Sequence, residues 1–362
     1  MKILIGSAHY GGGHDSIAQI ISEALNSPKK KENKIQTATY YLQGKKASIS
    51  YRLFGPTSFF KNSYNKLNNL IGREFTLSLA DTIVRREITK AIKLYCPDLV
   101  FSTHYFYTRT LLKMGIPNIL FVADPFSLHA IWAETDADKI VVFTKTARAQ
   151  LLDHYVPKEK ILISKFPLRE EFYNKNNKIT ARKKINIPEN DFVLVLGGSG
   201  DGMDKTKQIA ALLHKSNLKF HAFIICGRNI LQKTTLSALL FNDERFIVLG
   251  MVDNISDYLC ASDLFIGKVG PNILFECLHL NIPIIGTLPF LPQEQGNRDF
   301  VIRNNIGWIE TQPNKIIEII SSLCHNPTRL SEIKKRMSVL DVKYVAKKDD
   351  FLEMIHNLLK NY

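Results

Sequence analysis

One pattern constrains this chain more than any other, and it runs twice. Short apolar runs alternate with segments of helical periodicity, beginning with KILIG (2–6) and DSIAQIISEALN, in which Ile17, Ile20, Ile21, Ala24 and Leu25 recur at helical spacing. KIQTATYYL (34–42), a long helix around 76–95, and the strands DLVFSTH (98–104), NILFVAD (118–124), KIVVFT (139–144) and ILISKFP (161–167) continue the series. A polar stretch, YNKNNKITARKKINIPEN (173–190), then interrupts it. The pattern restarts with DFVLVLGGSG (191–200), and strands at FHAFIICG (220–227), RFIVLG (245–250), LFIGK (264–268) and IPIIG (282–286) again alternate with helices. Each series opens with a strand running into a glycine-rich turn. Such repeats fold as parallel sheets covered by helices on both faces, with ligands at the carboxyl ends of the strands. The expectation is therefore an α/β chain of two Rossmann-like, doubly wound domains facing across a cleft. Its expected divisions are an N-terminal domain (1–168), a linker (169–190), a C-terminal domain (191–340) and a last helix (341–362) packing back across the domains. A length of 362 residues agrees, because it exceeds what a single core usually serves.

Charge narrows the surroundings. The net charge is +14, and residues 1–100 carry fifteen Lys/Arg against seven Asp/Glu, so this segment supplies +8 of the excess. Such a surface attracts nucleic acid, anionic lipid or phosphorylated substrates. In residues 51–75, Phe54, Phe59, Phe60, Tyr64, Leu67, Leu70, Ile71 and Phe75 interleave with Arg52, Lys61, Lys66 and Arg73. That mixture suits a bilayer interface, where rings sit at headgroup depth and cations meet anionic lipid. It equally fits an amphipathic segment packed on its own core. The expectation drawn is an anionic membrane surface as partner and no nucleic acid, with the oligomeric state open. Five cysteines without a CxxC pair point to reduced, buried thiols of a cytosolic protein, with no zinc site. No basic-then-apolar leader and no run of about 18 apolar residues is evident, so the chain is expected to be cytoplasmic and peripheral on the inner face of the cell membrane.

The glycine loops carry the chemistry. Gly11, Gly12, Gly13 and His14 stand where the first strand turns into a helix, and Gly198, Ser199 and Gly200 do so in the second series. Neither loop ends in the Gly-Lys-Ser/Thr of a Walker A site. Ser16 occupies the third glycine position of a dinucleotide fingerprint, and KIQTATYYL carries no acid, so a nicotinamide cofactor is not indicated. What remains is a pair of amide-lined nests at helix N-termini, suited to phosphate or a close-packed substrate. At such an N-terminus the helix dipole disfavours imidazolium, which leaves His14 neutral and able to accept a proton near pH 7. A histidine that merely caps the helix or steadies the loop is the competing assignment. His9 and His104 are weaker candidates of the same kind, and Trp132 borders a lipid entrance or belongs to the core.

In the second half, Gly270, Pro271 and Asn272 precede an apolar helix holding one acid, Glu276. A carboxylate buried there needs a partner, and a ribose diol is a natural one. Gln293, Glu294, Gln295, Gly296 and Asn297 offer polar groups for a sugar at the same end of the sheet. Asp136 and Asp138 form a DxD pair, but they directly precede KIVVFT, at the amino end of that strand, and read as a solvated turn rather than a metal site.

GGGH (11–14), STH (102–104), FPLREEF (166–172), LGGSG (196–200), CGRN (226–229), GMVDNISDYLCASDLFIGKVGPN (250–272), Glu276 and QEQGN (293–297) occur in an order that resembles the processive diacylglycerol glycosyltransferases and plant-type monogalactosyldiacylglycerol synthases. More distantly they look like the lipid-linked N-acetylglucosaminyltransferase of peptidoglycan synthesis. The resemblance implies an inverting glycosyltransferase of the GT-B fold, with an N-terminal acceptor domain and a C-terminal domain binding a UDP-sugar. It further implies that Gly198, Ser199, Gly200, Gly270, Pro271 and Asn272 hold the pyrophosphate, Met251 and Val252 lie against uracil, and Glu276 takes the ribose, with Arg228 also on the donor side. Glu294, Gln295 and Asn297 would face the hexose, and His14 would be the base. Gly12, Gly13, Phe59, Phe60, Lys61 and Trp132 are then expected on the acceptor and membrane side. The plant-type enzymes carry an acid near the position of His9 and an arginine where Asp15 stands, so the acceptor end departs from theirs. The implied reaction moves a hexose from UDP-glucose or UDP-galactose to diacylglycerol, giving a β-glycoside, with the UDP-sugar as co-substrate and no metal or other cofactor. Transfer of N-acetylglucosamine to a polyprenyl-linked acceptor, or a non-catalytic UDP-sugar sensor, are the alternatives.

Overall fold

The computed structural model describes residues 1–8, 12–27, 35–42, 70–133, 136–173, 177–197, 205–287, 292–360 and 362. It divides into two compact units, one of Met1–Arg169, Leu291–Gln295 and Ala346–Tyr362, the other of Glu170–Phe290 and Gly296–Val345.

The first unit holds β1 (Lys2–Ala8), α1 (Gly12–Leu25), β2 (Gln36–Leu42), α2 (Leu70–Tyr95), β3 (Leu99–Ser102), α3 (Thr108–Lys113), β4 (Asn118–Phe121), β5 (Lys139–Val142), α4 (Lys145–Asp153) and β6 (Ile161–Ile163). Its six strands are all parallel, in the order β2-β1-β3-β4-β5-β6. β1 and β3 are fully buried after Lys2, which is why they read as continuous apolar runs rather than alternating ones. Val84, Ile88, Ala91 and Ile92 of α2 recur at helical spacing and pack with Leu4, Val100, Tyr107 and Leu111. The order in which strands are added reverses between β1 and β3, the switch point at which open α/β sheets form their ligand crevice. Gly6 is required just there: a Cβ would stand 2.6 Å from the Tyr107 ring. The Tyr107 hydroxyl donates to the Ser7 carbonyl at 2.8 Å, with the Tyr40 carbonyl 3.1 Å away, and so ties β1 to its neighbour.

The second unit begins with α5 (Glu170–Tyr173) and α6 (Lys178–Lys184), followed by β7 (Val193–Gly197), α7 (Thr206–Lys215), β8 (His221–Ile225), α8 (Ile230–Leu239), β9 (Phe246–Leu249) and α9 (Ile255–Ala261). β10 (Leu264–Gly267), α10 (Pro271–Leu280), β11 (Ile284–Gly286), α11 (Gln295–Arg303), β12 (Gly307–Ile309), α12 (Pro313–His325) and α13 (Pro327–Tyr344) complete the series. The strand order β12-β11-β10-β7-β8-β9 is again all parallel, with the switch point between β7 and β10. There Gly267 pairs with Gly197, and a Cβ on Gly267 would sit 1.7 Å from the Gly197 carbonyl oxygen, so the closeness of the two backbones demands glycine. α14 (Lys348–Leu359) returns to the first unit and packs on α1, while Ala346 N donates to the Phe166 carbonyl at 2.9 Å.

Two expectations need correction. The stretch read as a linker carries α5 and α6 among its described residues, and from Glu170 onward it belongs to the second unit. Its Arg182, 3% exposed, donates to Asp263 at 2.7 Å and to the Ala261 carbonyl at 3.0 Å. A basic helix thus looks solvated in sequence although one guanidinium is buried against a distant carboxylate. Cys226 and Cys277 are buried as expected, but Cys96 is exposed, at φ 44° in the turn that ends α2.

Candidate active site

In the first unit, polar groups gather where β1, β3 and β4 end. Gly12, Gly13 and His14 form the first turn of α1. Among the described residues, nothing lies within 4 Å of the position a Cβ would take at Gly13. His14 Nδ1 lies 2.7 Å from the carbonyl oxygen of Thr103, the residue after β3. A carbonyl only accepts, so Nδ1 carries the proton and Nε2 keeps its lone pair. Burial lowers the His14 pKa below 6.5, while the Thr103 carbonyl and the Asp15 charge pull it partly back. The ring is therefore neutral at pH 7 and available as a base on one defined nitrogen.

Aromatic rings enclose it. The His104 ring stands edge-on at 5.0 Å and the Trp132 ring at 6.0 Å, with His104 and Trp132 themselves 5.9 Å apart. His104 Nδ1 accepts the Phe106 N–H at 3.3 Å, so this histidine caps a helical turn. Burial, and secondly the nearness of His14, hold its pKa well below 6.5. Trp132 is 3% exposed, which places it inside the cluster and not at an open edge.

Sequence reasoning missed Asp124. It follows β4 and shares a hydrogen bond with Trp132; burial pushes its pKa up to about 7, against that bond, and the Glu294 charge adds to the rise. Glu294 is itself buried and belongs to the same unit. The available signal was the acid closing NILFVAD at a strand's carboxyl end, the rule that had located the glycine loops.

In the second unit, Arg228 follows β8, Met251 and Val252 follow β9, and Gly270, Pro271 and Asn272 follow β10, all at the carboxyl end of the parallel sheet. Gly270 is the N-cap of α10 and Pro271 its first residue, where a missing N–H costs nothing. Among the described residues nothing lies within 4 Å of the position a Cβ would take at Gly270, and a helix N-terminus of this kind is a suitable seat for phosphate. Glu276, on the same helix, is 3% exposed. Asn297 Nδ2 donates to the Val269 carbonyl at 3.1 Å and fixes the loop before α10, while its buried Oδ1 has no partner among the described residues. Arg228 is exposed and Met251 is 65% exposed; Gln295 is half-buried at the start of α11. His9, Phe59, Phe60, Lys61, Gly198, Ser199 and Gly200 lie outside the described residues.

The DxD pair is accounted for structurally. Asp138 Oδ2 accepts the Asn118 N–H at 2.7 Å, and Asp136 lies 3.6 Å from Arg109, both at the amino ends of β4 and β5. Among the described residues, no group of three or more His, Cys, Asp or Glu is arranged to hold a metal ion.

Solved structures of the same architecture include that of MurG from Acinetobacter baumannii, 13% identical with a TM-score of 0.63 over 98% of this chain and 99% of that one. The MnaA–UDP structure from S. aureus is 13% identical, with a TM-score of 0.66 over 99% and 97% of the two chains. The fold is therefore the GT-B architecture, and the sequence matches make the chain a glycosyltransferase. Residues 14–167 match the monogalactosyldiacylglycerol (MGDG) synthase family, and residues 192–348 match the glycosyltransferase family 28 C-terminal domain. A processive diacylglycerol beta-glucosyltransferase of Bacillus subtilis is 25% identical over 94% of this chain and 91% of its own length. One of Staphylococcus epidermidis is 24% identical over 98% and 93%. The chain thus joins a monogalactosyldiacylglycerol synthase domain in its first half to a glycosyltransferase family 28 C-terminal domain in its second.

Proposed function

We propose that the chain transfers a hexose from UDP-glucose or UDP-galactose to the free hydroxyl of diacylglycerol, with inversion, to give a β-glycosyl-diacylglycerol. The observation that carries this reading is the His14 tautomer: Nδ1–H is committed to the Thr103 carbonyl, and Nε2 is left as a base at the head of α1. Nε2 takes the acceptor's proton as the hydroxyl oxygen attacks the anomeric carbon. The bond from that carbon to the UDP β-phosphate oxygen breaks on the opposite side, so the donor's α-linkage becomes a β-glycoside. Negative charge then grows on the departing diphosphate, where the first-turn amides of α10 and its dipole can meet it without a metal ion. In this reading Gly198, Ser199, Gly200, Gly270, Pro271 and Asn272 hold the diphosphate, Met251 and Val252 face uracil, Glu276 the ribose, and Glu294, Gln295 and Asn297 the hexose, with Arg228 also on the donor side. Gly12, Gly13, Phe59, Phe60, Lys61 and Trp132 serve the acceptor.

The names of the relatives and the N-terminal family match favour diacylglycerol over a polyprenyl-linked acceptor. The net charge of +14 supports peripheral attachment to an anionic membrane on the cytoplasmic side, and no helix among the described residues is long and apolar enough to cross one. The test mixes the purified protein with diacylglycerol-containing vesicles and a panel of labelled UDP-sugars, with and without chelator. Label from UDP-glucose or UDP-galactose should enter the extracted lipid at a rate the chelator does not change. His14→Ala should lower that rate by about 10²–10⁴-fold while UDP binding persists. Label confined to a polyprenyl acceptor, or a fully active His14→Ala, refutes the reading.

A further inference from the structure

The side chains of Ser7, Thr103 and Asp15 are linked by hydrogen bonds next to the carbonyl that holds His14. Ser7 is the penultimate residue of β1 and Thr103 follows β3, and both are 0% exposed. Thr103 Oγ1 donates to Ser7 Oγ at 3.1 Å, and Ser7 Oγ donates to Asp15 Oδ1 at 2.7 Å. The direction is set by chemistry. A carboxylate only accepts, so Ser7 must give its one proton to Asp15 and can only receive from Thr103. Thr103 is also held through its backbone, its N–H donating to the Gly6 carbonyl at 2.9 Å, and its own carbonyl takes the His14 Nδ1–H. The chain of hydrogen bonds thus begins at the residue that orients the imidazole and ends on the residue that follows it in sequence.

A carbonyl can fix a histidine's tautomer, but it carries no charge to balance an imidazolium. That charge has to come from elsewhere, and Asp15 stands in the first turn of α1, where the helix dipole also favours an anion. Resting on the catalytic reading of His14 given above, we propose that Asp15 is its positioning residue: through Ser7 and Thr103 it holds the carbonyl that binds Nδ1–H, and its charge steadies the imidazolium formed when Nε2 takes the acceptor's proton.

The other groups around the site are consistent with this division of labour. His104, from the turn after β3, disfavours a positive His14 and is itself held neutral by burial. Burial, and in the same direction the Asp15 charge, raises the pKa of Tyr41 and Tyr107 and keeps both phenols protonated at neutral pH. Asp124 reaches the cluster through Trp132. Among these groups Asp15 is the one whose charge raises the His14 pKa.

The experiment is an NMR titration of the His14 imidazole in the full-length protein, assigned with His14→Ala, alongside kcat against pH. In Asp15→Asn the His14 pKa should fall further, because the charge that favours imidazolium is gone. The acid limb of kcat should move to lower pH with it, and the plateau should drop about ten- to a hundred-fold, with KM for the UDP-sugar unchanged. Asp15→Glu should restore the titration and part of the rate. Ser7→Ala keeps the charge but cuts the chain, so kcat should fall with a smaller movement of the acid limb. Wild-type His14 titration in Asp15→Asn overturns the proposal, as does a rate loss that Asp15→Glu does not recover while both proteins bind UDP normally. Should Asp15→Asn fail to fold, Ser7→Ala decides, and wild-type kcat there refutes the chain. Activity in His14→Ala would remove the catalytic reading instead, and the titration separates the two failures.

Discussion

Asp124 should make the first unit less stable as pH rises, and the size of the effect can be worked out. In the unfolded chain its carboxyl ionises near the ordinary value of 3.8; in the folded protein burial delays this to about 7, against the Trp132 hydrogen bond and with some help from Glu294. Between those values the unfolded state binds fewer protons than the folded state, so stability falls with increasing pH and the loss is complete above about 7. A difference of about 3 pH units at 1.36 kcal/mol each gives about 4 kcal/mol. That is an upper figure, because Asp124 keeps some exposed surface. Asp124→Asn retains the shape and an oxygen for the Trp132 indole but cannot ionise. The protein has two tryptophans, so in a Trp308→Phe background Trp132 fluorescence reports on the first unit during urea unfolding. The variant should match its parent at pH 4 and exceed it by up to about 4 kcal/mol at pH 8. An unchanging difference from pH 4 to pH 8, or a parent more stable at pH 8, would refute the argument. A destabilising group joined through Trp132 to the ring cluster around His14 is what a site selected for activity would keep.

Two further outcomes test the second unit. Gly267→Ala places a methyl group 1.7 Å from the Gly197 carbonyl oxygen, so β7 and β10 must separate at the switch point; UDP affinity by calorimetry should fall more than about tenfold and the melting temperature should drop, and wild-type values for both would contradict the geometry. Asp263→Ala strands the buried Arg182 guanidinium and removes the acceptor of the Val193 N–H, bonded at 3.0 Å; a loss of about 3–5 kcal/mol is expected in urea unfolding, and a loss below about 1 kcal/mol would mean the ion pair is not structural.

The parts legible in the sequence were those decided locally. β1, β3, β7 and β10 announce themselves because strands covered on both faces are largely apolar, and Gly267 at the end of β10 marks a backbone approach that no other residue permits. What sequence could not supply were partners far along the chain. Nothing near Arg182 in sequence announces its burial, because the carboxylate it pairs with lies 81 residues later. Nothing near Asp124 announces its perturbation, which comes from burial, with Trp132 and Glu294 as neighbours. His14 shows both sides of this division. Its place at a helix N-terminus beside three glycines was readable and made it a candidate base, but the nitrogen that can act is fixed by the Thr103 carbonyl, 89 residues away. A catalytic histidine is specified by the group that holds its other nitrogen, and in a doubly wound sheet that group comes from the neighbouring strand across the switch point, where local sequence carries no trace of it.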